Sequence, residues 1–135
     1  MKVYAYGLTD VNGIILTANA PDIAGAVALS SAATSTLAAT VFNIKTGAGN
    51  LYGYDLYNAA AAACFVQVFN LPAASVTLGT TTPNFFLGMA TLTKDVLPPS
   101  MSILSTSVGF SAASTTTATG STPCATPGPA NFFYK

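Results

Sequence analysis

Val41-Phe42-Asn43-Ile44-Lys45 alternates apolar and polar side chains, steps through Thr46-Gly47-Ala48-Gly49-Asn50, and resumes as Leu51-Tyr52-Gly53-Tyr54-Asp55-Leu56-Tyr57. On an extended chain Phe42 and Ile44 fall on one side, Asn43 and Lys45 on the other. That period of two marks a strand with one buried face. In the second segment Tyr52, Tyr54 and Leu56 share a face opposite Gly53 and Asp55. The step between is rich in residues that tolerate unusual φ, as a turn between two strands requires.

Further strands lie on the C-terminal side. Over residues 64–71, Cys64, Val66 and Val68 oppose Phe65, Gln67 and Phe69, so both faces are largely apolar. Such a strand is either central in a sandwich or covered by a neighbouring subunit. Its aromatic and β-branched residues suit a strand better than a helix. Residues 84–92, 101–104 and 107–117 are the later strands, with Val108, Phe110 and Ala112 on one face of the last. Turn clusters at 79–83, 98–100 and 120–129 separate them. A helix is expected only over 22–29, after Pro21, and Gly25 weakens it. Short strands at this spacing predict an all-β fold: one β-sandwich, jelly-roll-like, with a core of Phe42, Ile44, Tyr54, Leu56, Val66, Val68, Leu87, Val108 and Phe110. The sandwich is expected over residues 28–122, with an N-terminal arm at 1–27 and an extended, Pro-rich C-terminal arm at 123–135.

Charged residues make up 6 % of the 135-residue chain, against roughly 25 % in ordinary soluble domains. The net charge is zero. Nothing therefore steers the chain toward nucleic acid or an anionic membrane. A near-neutral surface favours association, which points to a life inside an assembly. No run of about 18 apolar residues is present to span a bilayer. Residues 1–7 lack the basic and unbroken apolar regions of a secretion signal, so synthesis in the cytosol without export by the general route is expected. In that compartment Cys64 and Cys124 are expected to remain free thiols.

The side chains that carry catalysis are sparse. There is no His, so neither a serine triad nor an ordinary zinc site can be assembled. Asp10, Asp22, Asp55 and Asp95 are scattered, and Asp95 beside Lys94 reads as a solvated pair in a loop. Gly47-Ala48-Gly49 leads into a strand and lacks the Lys-Ser/Thr of a phosphate loop. The expectation is a non-enzyme without cofactor or metal.

The order of residues then becomes informative. Leu29-Ser30-Ser31-Ala32-Ala33-Thr34, the segment 48–70 with its Leu51-Tyr52-Gly53-Tyr54 and alanine run, Gly79-Thr80-Thr81-Thr82-Pro83, and the Ser/Thr-rich strand from Gly109 follow one another. This order resembles a family of small tailed-bacteriophage virion structural proteins over roughly residues 28–122. The resemblance implies a jelly-roll-like sandwich in the virion without an active site. It suggests a capsid cement or decoration protein that forms a homo-oligomer, a trimer, and contacts the major capsid protein. The competing function is a tail or head fibre component that recognises the host surface.

Both ends depart from the family pattern. Tyr4 and Tyr6 near the start and Phe132, Phe133 and Tyr134 near the end are aromatic and unaccompanied by charge. Exposing such rings is costly, at about 1.5–3 kcal/mol for a buried Phe. They either dock on their own domain or fill a pocket on a partner. These five are the candidate interaction residues, and removing residues 131–135 is expected to leave a folded domain with weakened association.

Overall fold

The structure is a computed structural model, and it describes residues 29–135. The expected N-terminal arm, the short helix before Leu29, Tyr4 and Tyr6 lie outside the described residues. The described chain forms β1 (Ser30–Thr34), β2 (Phe42–Thr46), β3 (Gly49–Tyr57), β4 (Cys64–Phe69), β5 (Phe85–Met89), β6 (Lys94–Leu97), β7 (Leu104–Thr106), β8 (Gly109–Thr115) and β9 (Ala130–Tyr134), with one 3-10 turn at Ala73–Ser75.

Two antiparallel sheets pack face to face. One has the order β1-β9-β3-β6, with β7 also paired to β3; the other has the order β2-β8-β4-β5. Setting β7 aside, β1 pairs with β9, β2 with β8, β3 with β6 and β4 with β5. Those are the pairs of one long hairpin. Rolling the hairpin up brings β9 against β3 and β8 against β4, which is a jelly roll.

The alternation in the sequence becomes the core. Ile44, Tyr54, Leu56, Val66, Val68 and Phe110 are buried between the sheets, and Phe42 and Leu87 pack against them. Val108 does not join them and is exposed. The reason is a turn: Thr106 Oγ1 accepts from the Val108 and Gly109 amides at 3.0 and 2.9 Å, and Gly109 has φ 139°. Only at Gly109 does the chain become strand, so the alternation starts two residues later than the sequence suggests, with Phe110 as its first core residue.

The face of β4 that looks away from the core is covered by the chain itself. Gln67 is fully buried there. Its amide donates to Thr115 Oγ1 at 2.7 Å and to the Gly120 carbonyl at 2.8 Å, holding the β8–β9 connection over the sheet. Ser111 Oγ donates to the Leu71 carbonyl at 2.8 Å and ties down the β4–β5 connection.

Three expectations are corrected. First, the C-terminal segment is no arm. Residues 130–134 form β9, hydrogen-bonded to β1 on one side and β3 on the other. A rolled hairpin needs its last strand beside its first, and 123–129 is the connection that carries the chain there. At Gly128 that connection presses against β3, where a Cβ would collide with the Tyr57 carbonyl. Second, Cys64 and Cys124 are joined as a disulfide, with a Cα–Cα distance of 5.9 Å in the usual range. The Thr115–Pro123 bridge and the Cys124 amide bond to Ser114 O fold the connection back onto β8, which sets Cys124 beside Cys64 at the start of the neighbouring β4. Third, Lys94 and Asp95 belong to β6, and the strand expected at 101–104 is β7 at Leu104–Thr106.

Candidate functional site

The aromatic residues singled out near the C-terminus part company across β9. Phe132 is fully buried and stacks on Phe42 of the opposite sheet, ring centroids 6.4 Å apart. Tyr134 packs at the rim of the core, with Lys45 Nζ 5.5 Å from its ring centre. Phe133 points the other way and is half-buried on the outer face. Phe132 therefore cannot reach a partner, and Tyr134 is largely engaged within its own domain.

The outer face of the five-stranded sheet carries a cleft that sequence reasoning missed. The register sets Ala33, Asn131, Asp55 and Val96 side by side on successive strands. One step along, Tyr57 stands opposite Lys94. Asp55, Tyr57, Lys94 and Asn131, with Thr34 and Pro129, line a cleft of about 410 Å³. Lys94 Nζ lies 3.1 Å from Asp55 Oδ2. Both side chains are well exposed, so the pair adds little stability. Asn131 Oδ1 is buried without a hydrogen-bond partner among the described residues. An amide, a carboxylate, an ammonium group and a phenol ring converge here, with capacity to donate to and accept from a hydroxylated ligand. Only the register across β9 brings them together, and β9 was not legible as a strand.

The two nearest acids are divided by the sheet. Asp55 faces outward, whereas Asp95 lies on the core side, where Tyr54 Oη donates to it at 3.4 Å. Burial, and then the Asp95 charge and hydrogen bond, hold the Tyr54 phenol above its ordinary pKa.

Large apolar side chains are also exposed on and between the edge strands β5 and β6, with Phe86 and Val96 on the opposite outer faces of the two sheets. Phe86 on β5 is 50 % exposed, Leu92 in the β5–β6 turn 58 % and Val96 on β6 46 %. Leu92 sits at φ 52°, a left-handed conformation that disfavours a residue with a Cβ by roughly 1–2 kcal/mol. A strained backbone thus presents a large apolar side chain to solvent. No family model matches the chain, and no curated protein or solved structure is significantly similar to it.

Proposed function

We propose that this chain is a non-enzymatic structural protein of a bacteriophage virion, a capsid cement or decoration protein that self-associates and docks on the major capsid protein. The observation that carries the reading is the exposed Phe86 on the uncharged β5 edge, followed by the exposed Leu92, in a chain nearly without charge. Single exposed apolar residues are ordinary, but an uncharged edge strand with an exposed Phe, leading into a Leu held on strained backbone, suits an interface. The jelly-roll order and the sequence pattern that resembles tailed-phage virion proteins support the same reading.

A second reading, recognition of a glycan at the host surface, is favoured by the Asp55–Lys94–Tyr57–Asn131 cleft. The deciding experiment is protein analysis and a density map of purified particles from the virus whose genome encodes this sequence. Copies on the shell support the cement role. Copies at tail or fibre tips support host recognition. Absence from the particle refutes both.

A further inference from the structure

β5 is the outermost strand of its sheet and pairs only with β4 among the described residues. An edge strand offers a row of backbone donors and acceptors to any chain able to lie beside it. Proteins ordinarily blunt such edges with charge, proline, bulges or short polar sequences. The other edges among the described residues are blunted, β7 by being only three residues long. β2 carries Lys45 and a register break between Asn43 and Lys45. β6 carries Lys94 and Asp95 and runs into Pro98 and Pro99. β1 is Ser-Ser-Ala-Ala-Thr, without a large apolar side chain. β5 reads Phe85-Phe86-Leu87-Gly88-Met89, with no charge, no proline and no register break against β4.

We propose that β5 pairs antiparallel with β5 of a second copy of this chain, about a two-fold axis at Leu87. The strand's own order of large and small residues selects this occupant. With Leu87 opposite its symmetry mate, each Phe86 faces a Gly88 and each Phe85 faces a Met89, so the contact is self-complementary. Phe86 is half exposed on the face away from the core, and Gly88 beside it is exposed and adds no side chain of its own to obstruct the facing ring. Phe65 already lies over Gly88, where an added Cβ would come within 3.3 Å of its ring. Phe65 and Phe86 also meet edge-on, with centroids 6.3 Å apart. Pairing joins these rings to those of the second copy in one aromatic cluster over the two edge glycines. On the other face the partly buried Phe85 and Leu87 gain cover at the open side of the sandwich. A slip by one residue would set core-facing side chains against outward-facing ones, which protects the register.

The inference deepens the reading of the chain as a self-associating structural protein and rests on it. It commits to a two-fold contact in place of the trimer that the family resemblance implies. Sedimentation of the full chain and of Phe86→Lys tests it, with thermal melting to establish that the variant folds. A wild-type dimer at micromolar concentration, weakened about 100-fold or more in the variant, supports the pairing. A wild-type monomer, a trimer, or a dimer that Phe86→Lys leaves intact overturns it. Should the variant fail to fold, Leu87→Cys decides. With Cys64 and Cys124 already joined, mild oxidation should link two copies through position 87, and the same treatment of Val96→Cys on the β6 edge should not. Equal linking of both variants, or of neither, overturns the contact. These measurements use the purified chain alone. A monomer therefore removes this contact while leaving a role on the shell open, whereas absence from particles removes the functional reading and leaves the contact standing.

Discussion

Phe132→Ala removes the ring that closes the roll. The side chain is fully buried, stacks on Phe42 across the sandwich, and sits on a strand flanked on both sides. Truncating a buried Phe costs about 3–5 kcal/mol, the transfer term plus the cavity left behind. A domain of this size has about 5–15 kcal/mol of stability in all. With a urea slope of about 2 kcal/mol/M, a loss of about 4 kcal/mol moves the denaturation midpoint down by about 2 M. Phe133→Ala is the internal control, because its ring is half-buried on the outer face of the same strand. It should cost about 1 kcal/mol, an ordinary surface-to-intermediate value. The assay is equilibrium urea denaturation of both variants followed by far-ultraviolet circular dichroism. Equal midpoints for the two variants, or a Phe132→Ala shift below about 0.5 M, would refute the placement of β9 in the core. By the same reasoning, deleting residues 131–135 abolishes folding, contrary to the arm expected from the sequence.

The remaining predictions concern the disulfide, the Tyr54 phenol and the strained turn. Reducing Cys64–Cys124, or replacing Cys64 by Ser, opens a 60-residue separation and should lower stability by about 4 kcal/mol on the chain-entropy account, read as a reductant-dependent fall in urea midpoint. The folded chain holds the Tyr54 proton more tightly than the unfolded chain does. That contribution is fully present below about pH 10 and is lost as pH rises through the raised folded value. Asp95→Asn should lower the Tyr54 pKa yet leave it above the ordinary value, because burial is the largest cause; an unchanged phenolate titration by ultraviolet absorbance would count against the contact. Leu92→Gly should relieve the left-handed strain and raise stability by about 1 kcal/mol, while lowering retention on particles; a destabilised variant would show that the leucine contributes more by packing than it costs in backbone.

What the sequence disclosed depended on how each strand is buried. β2, β3, β4, β5 and β8 were legible because large apolar residues recur every second position where one face meets the core. β1 was not, because Ser, Ala and Thr on an exposed edge leave no alternation to read; its place comes from pairing with β9. β6 hid behind its charges. Lys94 and Asp95 look like a solvated loop, yet Asp95 lies on the core side as acceptor for the Tyr54 hydroxyl. β9 hid behind its prolines and its unbroken Phe132-Phe133-Tyr134 run, which gives no period of two although its side chains do alternate between core and outer face. The disulfide was missed because the expectation was drawn from compartment rather than from distance, and distance depended on how the β8–β9 connection folds back. The cleft was illegible for the same topological reason, since Asn131 reaches Asp55 only through β9.

The fate of β9 bears directly on function. If the terminal aromatics had been free, assembly could have rested on them, as anchors inserted into a neighbour. In the folded chain they are largely spent on closing the roll: Phe132 in the core, Tyr134 at its rim beside Lys45, and Phe133 half-buried on the outer face, its backbone paired between β1 and β3. A jelly roll leaves the outermost strands of its two sheets with one free side, so under the proposed self-association contacts between copies would fall to those edges. Three of the four are disarmed by charge, proline, a register break or small polar residues. The fourth, β5, is apolar along its length and continues into a turn that holds Leu92 outward on strained backbone. Relief of backbone strain would favour glycine at that turn, and protection against edge pairing would favour a lysine on that edge. Their absence in a chain so poor in charge is what an assembly surface on the β5 side requires.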